Sequence, residues 1–581
     1  MLFTFGHGQT IVVDTGPVPA GIGIAAAGQG DVIPLDAVVE TAARPGAIAA
    51  AIAPAGGTFA YYFPGAATIP ENSGTPDALD AIANAMIEED NDPVAQNSTI
   101  PPIFTYLGQF IDHDITAGTD RDSTLSVIAG PIVPIPQTDV EAGLFNLRDG
   151  SLRLDSVYGD TIGQGPFATK LSKLMRHPTL THKMRLAIPA PTDAPPLPAE
   201  PDRAADLPRL GFLVERGDIT QAELDALSPE LKKTFLNPDG TPYEERAIIG
   251  DGRNDENLLV AQLHMSMLRF HNKLVDAVGD FEAARKLMRW HYQWLIVNEY
   301  LPTVCDPAIV ADVVARKAPL YAEFFAAHGA EGSTQLPLPL EFSVAAFRFG
   351  HSMIRGSYDH NRFFGEPVPG SNNIIDSADF GLLFDFTGNG KMKGTGIKLP
   401  HNWVIEWERF VAIDPTRPRR AARKIDTHLA PPLKDMVNED PGVFKHLAQR
   451  NLRRGYRLSL PTAQACIAAL AGGHYPTMAA ISNADLISGQ SGQKLDAAGL
   501  AYATPLWFYV LKEAEVAAGG QHLGPLGSVL VADTLLGLIV QDKQSYWHGG
   551  ANGTPWSPTD AGLAQPVDSL KAMLRFAGML Q

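Results

Sequence analysis

Apolar positions along this chain recur mostly with a helical period. Leu259, Leu263, Met267, Phe270 and Leu274 are spaced by three and four, which lays one apolar stripe along an amphipathic helix starting near Asp255. Segments 281–300, 442–454 and 503–517 repeat that pattern. Another helix is predicted to start at Pro101-Pro102, where a missing N–H costs nothing, and to run through Tyr106, Leu107, Phe110 and Ile111. Strand signals are few and no internal repeat is visible, so the fold class is mainly α, many helices with long loops and little strand. The pattern weakens over residues 1 to about 60, which are rich in Ala, Gly and Pro, and over the Pro-rich stretch Ala187 to Pro208, which is predicted to be a surface loop.

The predicted helix around residue 110 carries unusual polar groups. At roughly 100° per residue, Gln109, Asp112 and His113 share one face while Asp114 turns away, so one segment can serve two sites. A polar trio on so apolar a helix carries a desolvation cost unless it lines a cavity or binds a cofactor. Taken alone, the segment also fits a hydrogen-bonded core histidine with two surface carboxylates.

Composition narrows the class. The 581 residues, 45% hydrophobic and 19% charged, are those of a globular chain with a large core. A formal charge of −18 argues against nucleic acid or anionic lipid as partner. The two cysteines, Cys305 and Cys466, need no disulfide framework, though one bridge between them is open. No uncharged apolar run reaches the length of a membrane span; the stretch Leu535 to Val540 is bounded by Asp533 and Asp542. The first Lys or Arg is Arg44, so the positive start of a typical signal peptide is missing and export, where it occurs, takes another route.

Three more segments place chemistry at helical spacing. In Gly250-Asp-Gly-Arg253-Asn-Asp-Glu256-Asn257, Arg253 and Glu256 stand at i, i+3 before the long helix; a surface ion pair is the plain alternative. In Phe347-Arg348-Phe-Gly350-His351, a cation and an imidazole have the same spacing, and Gly350 removes a side chain where something flat needs close approach. In Asn451-Leu-Arg-Arg454-Gly455, an amide capable of holding an imidazole N–H precedes a guanidinium suited to a carboxylate.

Together and in this order the segments resemble the animal-type haem peroxidases of the peroxidase and cyclooxygenase superfamily, particularly the bacterial members. The resemblance runs from about Thr99 to the C-terminus. It includes Gly108-Gln-Phe-Ile-Asp-His-Asp-Ile115, Ile249-Gly-Asp-Gly-Arg-Asn-Asp-Glu-Asn-Leu258, Leu268-Arg-Phe-His-Asn272, Phe347-Arg-Phe-Gly-His351, Lys424-Ile-Asp-Thr-His-Leu-Ala-Pro431 and Leu523-Gly-Pro-Leu-Gly527. It divides the chain into an Ala/Gly/Pro-rich arm, residues 1–95, and one haem peroxidase domain, residues 96–581.

The resemblance implies haem b and roles for named residues. His113 would be the distal acid/base, Arg253 the distal cation that stabilises charge on the departing oxygen, and Gln109 their neighbour at the peroxide. His351 would hold the iron, with Asn451 accepting from its other ring nitrogen, and Arg348 and Arg454 would pair with the haem propionates. Asp112 and Glu256 match carboxylates that form ester bonds to haem methyl groups, whereas Asn257 stands where members with a third, sulfonium link carry methionine. Asp114 matches a calcium ligand, with Asp149, Ser151 and Asp155 as its partners; Arg153 takes a place usually held by Asp, which weakens the set.

The activity so implied is peroxidase chemistry: hydrogen peroxide oxidises the iron, which then takes electrons from a halide, thiocyanate or a small organic donor, anionic or aromatic, as in defence against oxidative stress. The superfamily also holds fatty-acid dioxygenases with a tyrosine just before the proximal histidine; here Arg348 fills that place between Phe347 and Phe349. A calcium-stabilised, peroxinectin-like interaction protein is the third reading, opposed by the set His113, Arg253, His351 and Asn451. The sequence leaves the donor, the oligomeric state, the compartment and the role of the arm open.

Overall fold

The computed structural model describes residues 57–580 apart from residues 91, 118–124, 126, 160–165, 194–203, 331–332, 334, 368–372, 395 and 415. Of the first 56 residues it describes only the strands Val12–Val13 and Ile33–Pro34. Most of the expected arm, and the middle of the expected Pro-rich loop, therefore lie outside the described residues.

The helical pattern is realised as a mainly α body. Helix α1 spans Thr75–Ala85, α2 Ile103–Ile115, α3 Leu258–Val278, α4 Phe281–Leu295, α5 Leu447–Arg457, α6 Leu506–Ala518 and α7 Pro525–Gln541. In α7 every residue from Leu526 to Ile539 is buried, so its lack of a polar face is that of a central helix. It packs against α6 and against the helices Pro307–Arg316 and Pro319–His328. Each buried Leu or Ile there stabilises the fold by about 1.5–3 kcal/mol. Gly537 lets the Tyr321 ring lie against α7, since a Cβ there would stand 2.3 Å from the ring.

Capping side chains set the element boundaries that matter for the site. Asp251 accepts from Arg253 N at 2.9 Å and opens a 3-10 turn, Gly252–Asp255; Asn257 then caps α3 by accepting from Val260 N at 3.0 Å. Arg253 and Glu256 consequently precede α3, which begins at Leu258, three residues after the expected start near Asp255. The 281–300 pattern resolves into α4 followed by a π-turn, Ile296–Tyr300. The 442–454 pattern breaks where His446 caps α5, its Nδ1 accepting from Gln449 N at 3.4 Å.

Residues 57–95 pack into the body. Strand Gly57–Ala60 is the centre of a three-stranded sheet, antiparallel to Phe145–Asn146 with Gly57 opposite Asn146, and parallel to Leu338–Pro339 with Phe59 opposite Leu338. Just beyond it, Tyr62 N and Phe63 N donate to the two carboxylate oxygens of the buried Glu341, at 2.9 and 3.1 Å, and α1 packs on α5. Cys305 and Cys466 are both buried and free, so the bridge left open by the sequence is not formed. Among the described residues no helix is long and apolar enough to cross a membrane.

Several pieces converge near the middle. Helix α2 packs on α3 and on the 3-10 turn Ala346–His351; α6 packs on the same turn, and α5 packs on the π-turn Glu341–Ala345 that leads into it.

Candidate active site

Between these pieces lies a cavity of about 120 Å³. Gln109, Asp112 and His113 of α2, Glu256 and Asn257 before α3, Arg348, Gly350 and His351 of the 3-10 turn, and Leu447 and Arg450 of α5 all line it. The rest of the wall is largely apolar and aromatic, including Phe104, Tyr106, Tyr300, Phe347, Phe380 and Phe384. An apolar pocket with a few convergent polar groups is the usual form of a cofactor site.

On the α2 side, His113 is 1% exposed and its Nδ1 lies 2.8 Å from Asn254 Oδ1. Its Nε2 is 3.8 Å from Glu256 Oε1. Burial, then the neighbouring Arg253 charge, hold this imidazole below its ordinary value against the opposing pull of Glu256, Asp251 and Asp112. Gln109 Nε2 donates to Glu256 Oε1, and Gln109 Oε1 accepts from Asn257 Nδ2 at 3.0 Å, so the three side chains form one polar rail along the cavity. Asp112 Oδ1 is buried and has no hydrogen-bond partner. An orphaned carboxylate oxygen on an apolar cavity wall is costly unless a ligand group meets it.

On the other side, a 3-10 helix places side chains at i and i+3 in one row, which brings Arg348 and His351 onto the same cavity. Arg348 Nε donates to Ser343 O at 3.0 Å. The amide Nδ2 of Asn451 lies 2.8 Å from His351 Nδ1. Rotated by 180°, that amide presents its oxygen to the same nitrogen, which then carries the proton and leaves Nε2 as the basic one. A Cβ built on Gly350 meets nothing within 4 Å, so the backbone there is open to a flat group.

Two expected residues are elsewhere. Arg253 does not line the cavity. Its Nη2 donates to Asp251 Oδ2 at 2.7 Å and to the His113 carbonyl at 2.9 Å, because the buried Asp251 carboxylate offers it two oxygens. Burial alone would raise the Asp251 carboxyl; the guanidiniums of Arg253 and Arg148 overcome it and hold the group well below the usual carboxylate range. Arg454 is buried on α5 but is not on the cavity wall; Arg450, one turn earlier, is, with Nη1 3.0 Å from Glu439 Oε1. The sequence reading overlooked Arg450, although it lies next to Asn451, and Asn254, for which no spacing signal exists.

The expected calcium residues form a separate group, with Asp114, Ser151 and Asp155 buried and Asp149 half-buried. Asp114 accepts from Leu154 N and Ser156 N, each at 3.0 Å, and Asp149 Oδ1 accepts from Ser151 N and Oγ at 2.9 and 2.7 Å. Asp155 pairs with Arg148, which also pairs with Asp251. Burial and the Asp155 charge push the Asp114 carboxyl up to about 7 and that of Asp149 up to about 6. Arg153 points to Asp542, with contacts of 3.0 and 2.6 Å. Among the described residues no group of three or more His, Cys, Asp or Glu has the arrangement of a metal site.

Residues 217–378 match the family model for animal haem peroxidase, a span that holds Arg253, Glu256, Arg348 and His351 but not Gln109 to Asp114 or Asn451. The chain is 26% identical over 295 residues to Peroxidase-like protein of Margaritifera margaritifera, covering 48% of this chain and 35% of that protein. It is 27% identical over 150 residues to Thyroid peroxidase of Homo sapiens, covering 24% and 15%. The chain thus spans about a third or less of the curated relatives it matches. Among solved structures it is similar to Peroxidase A from Dictyostelium discoideum, with a TM-score of 0.54 at 16% identity over 90% of this chain and 93% of that one. It is also similar to fatty acid alpha-dioxygenase of Arabidopsis thaliana, with a TM-score of 0.50 at 12% identity over 89% and 79%. At such identities these two structures have the fold in common with this chain.

Proposed function

We propose, on the premise that this chain is a member of the animal-type haem peroxidases, that it holds haem b in the cavity between His113 and His351 and uses hydrogen peroxide to oxidise small donors. The observation that carries this reading is the pair of imidazoles on one cavity, each with its Nδ1 against an asparagine amide, 2.8 Å from Asn254 for His113 and 2.8 Å from Asn451 for His351. The orphaned Asp112 oxygen and the open backbone at Gly350 fit a flat ligand in the same space.

Haem, when bound, supplies an iron that accepts two oxidising equivalents from peroxide and passes them to the donor. His351 would hold the iron, with Asn451 fixing its ring. His113, kept neutral by burial, takes the proton from one peroxide oxygen at Nε2 and returns it to the other. Gln109, steadied by Glu256 and Asn257, positions water or peroxide beside it. Arg253 acts from behind, holding the His113 carbonyl and lowering the imidazole's proton affinity by its charge, so in this arrangement it is a positioning residue. Arg348 and Arg450, whose side chains line the cavity, would meet the haem carboxylates there. Asp112 and Glu256, both on the cavity wall, would form the ester links to the macrocycle, and calcium at Asp114, Asp149, Ser151 and Asp155 would relieve the buried charge that raises two of those carboxyls.

Halide, thiocyanate and phenol oxidation share the same first step, so the donor is identified by assay. Arg348, in place of a phenol before His351, favours peroxidase over fatty-acid dioxygenase chemistry. The test is an absorption spectrum of the haem-loaded chain before and after peroxide, followed by rates with bromide, iodide, thiocyanate and a phenol, and by oxygen uptake with linoleate. Donor oxidation without fatty-acid-dependent oxygen uptake is expected. Oxygen uptake that needs linoleate and persists without added peroxide overturns the peroxidase reading.

A further inference from the structure

We infer that Asn254, itself oriented by His264, selects the ring tautomer of His113 and so makes Nε2 the nitrogen that can accept a proton; this rests on the reading of His113 as the proton carrier. The three side chains form a buried line. Asn254 Oδ1 is 2.8 Å from His113 Nδ1, and Asn254 Nδ2 is 3.0 Å from His264 Nδ1. None of the three is more than 1% exposed, so water does not substitute for either contact.

An amide has one end that only accepts and one that only donates. It therefore cannot serve two identical imidazoles: one ring must donate through Nδ1 and the other must accept. With the oxygen toward His113, that ring carries its proton on Nδ1 and its lone pair on Nε2. His264 then accepts at Nδ1 and carries its proton on Nε2, an atom with no hydrogen-bond partner; the His264 and Phe110 ring centroids are 6.1 Å apart. Burial holds His264 at about 3, so it stays neutral, as this arrangement requires. The Asn254 backbone is fixed in turn by its N–H, which donates to Asp251 O at 3.0 Å.

Glu256 Oε1 is 3.8 Å from His113 Nε2, beyond hydrogen-bond reach. If the proton moved to Nε2, the ring would present an N–H where a hydroperoxide O–H must donate, and the first proton transfer would have no acceptor. The transfer itself is neutral overall: the proton leaves one peroxide oxygen for Nε2 and is delivered from there to the other.

The test compares Asn254→Leu, which removes the acceptor at similar volume, with Asn254→Asp, which keeps an oxygen facing His113. The primary readout is the ring 15N shifts of His113, assigned by difference against His113→Ala, in 15N-histidine-labelled chain loaded with diamagnetic zinc protoporphyrin. Wild type and Asn254→Asp should carry the proton on Nδ1, and Asn254→Leu should shift it toward Nε2. In the haem-loaded chain, Asn254→Leu should react with peroxide about 10²-fold more slowly, with Asn254→Asp recovering most of the loss. Unfolding of Asn254→Leu is met by His264→Leu, which frees the amide to turn and should give a mixture of tautomers. Wild-type shifts in folded Asn254→Leu, or a proton on Nε2 in wild type, overturn the inference. Should His113→Ala react as fast as wild type while Asn254→Leu still moves the ring proton, it is the role of His113 in peroxide reduction that fails.

Discussion

Asp251 clamps Arg253 through both carboxylate oxygens, with Nε 3.2 Å from Oδ1 and Nη2 2.7 Å from Oδ2. The same carboxylate pairs with Arg148, which reaches Asp155 beside the candidate calcium group. One buried carboxylate therefore pairs with two guanidiniums and, through Arg148, connects the turn Gly252–Asp255 to Asp155.

Asp251→Asn should lower the stability of the chain by about 3–5 kcal/mol, the scale for breaking a buried pair and leaving its partner without a counter-charge. The control is Asp312→Asn, which removes an i, i+4 pair with Arg316 at 2.7 Å whose side chains are 51% and 35% exposed; it should cost no more than about 0.5 kcal/mol. Thermal unfolding midpoints of the two variants decide the matter, and equal midpoints would remove the clamp from the account.

The ester links make a chemical prediction. Joining a carboxylate oxygen to a haem methyl carbon releases one proton and two electrons, so it requires turnover with peroxide. After such turnover, acid and organic solvent should leave haem on the wild type and strip it from the Asp112→Ala, Glu256→Ala double variant. Complete extraction from treated wild type would refute the links and leave the peroxidase reading standing.

Sequence periodicity carried the mainly α fold and the two polar segments of the cavity, because amphipathic stripes and i, i+3 or i+4 pairs are local properties. Helix α7 is buried all round and so has no stripe to read, and the cavity itself is made where α2 packs on the turn Ala346–His351 and α5 on the π-turn Glu341–Ala345. The displacement of Arg253 from the cavity wall depends on Asp251, two residues away, a spacing at which side chains on a regular helix do not meet. Arg450 shows the opposite failure: it lies one turn before Arg454, at i, i+4 on the same face of α5, so helical geometry could have found it, but the motif drew attention to Arg454.

Calcium should be detectable by metal analysis after extensive dialysis, at about one ion per chain. Asp114→Ala should lower both the thermal midpoint and haem retention, since an ion bound only by the folded state stabilises it. A dialysed chain free of metal with an unchanged midpoint would indicate that Arg148, already paired with Asp155, is the only cation this group holds.

Glu513 offers a pH test away from the cavity. Its Oε2 accepts from Leu526 N and Gly527 N at 2.8 and 3.3 Å, Oε1 has no partner, and burial pushes the carboxyl up to about 8. A folded value above the ordinary 4.5 means that the folded chain holds the proton more tightly. The contribution is therefore full below about pH 4.5 and is lost as pH rises through about 8, by up to about 1.4 kcal/mol per pH unit. Glu513→Gln should keep the accepting oxygen and flatten the fall in unfolding midpoint between pH 5 and 8, while an unchanged slope would show that other groups cause it.

The central claim is that two histidines on one cavity have different tasks, His351 holding the iron and His113 moving the proton. Absorption spectra of haem-loaded wild type, His351→Ala and His113→Ala, recorded before and after peroxide, test it most directly. The account predicts no stable haem incorporation in His351→Ala, and in His113→Ala a normal haem content with reaction slowed by about 10²–10⁴-fold. Haem retained by His351→Ala and lost from His113→Ala would contradict it.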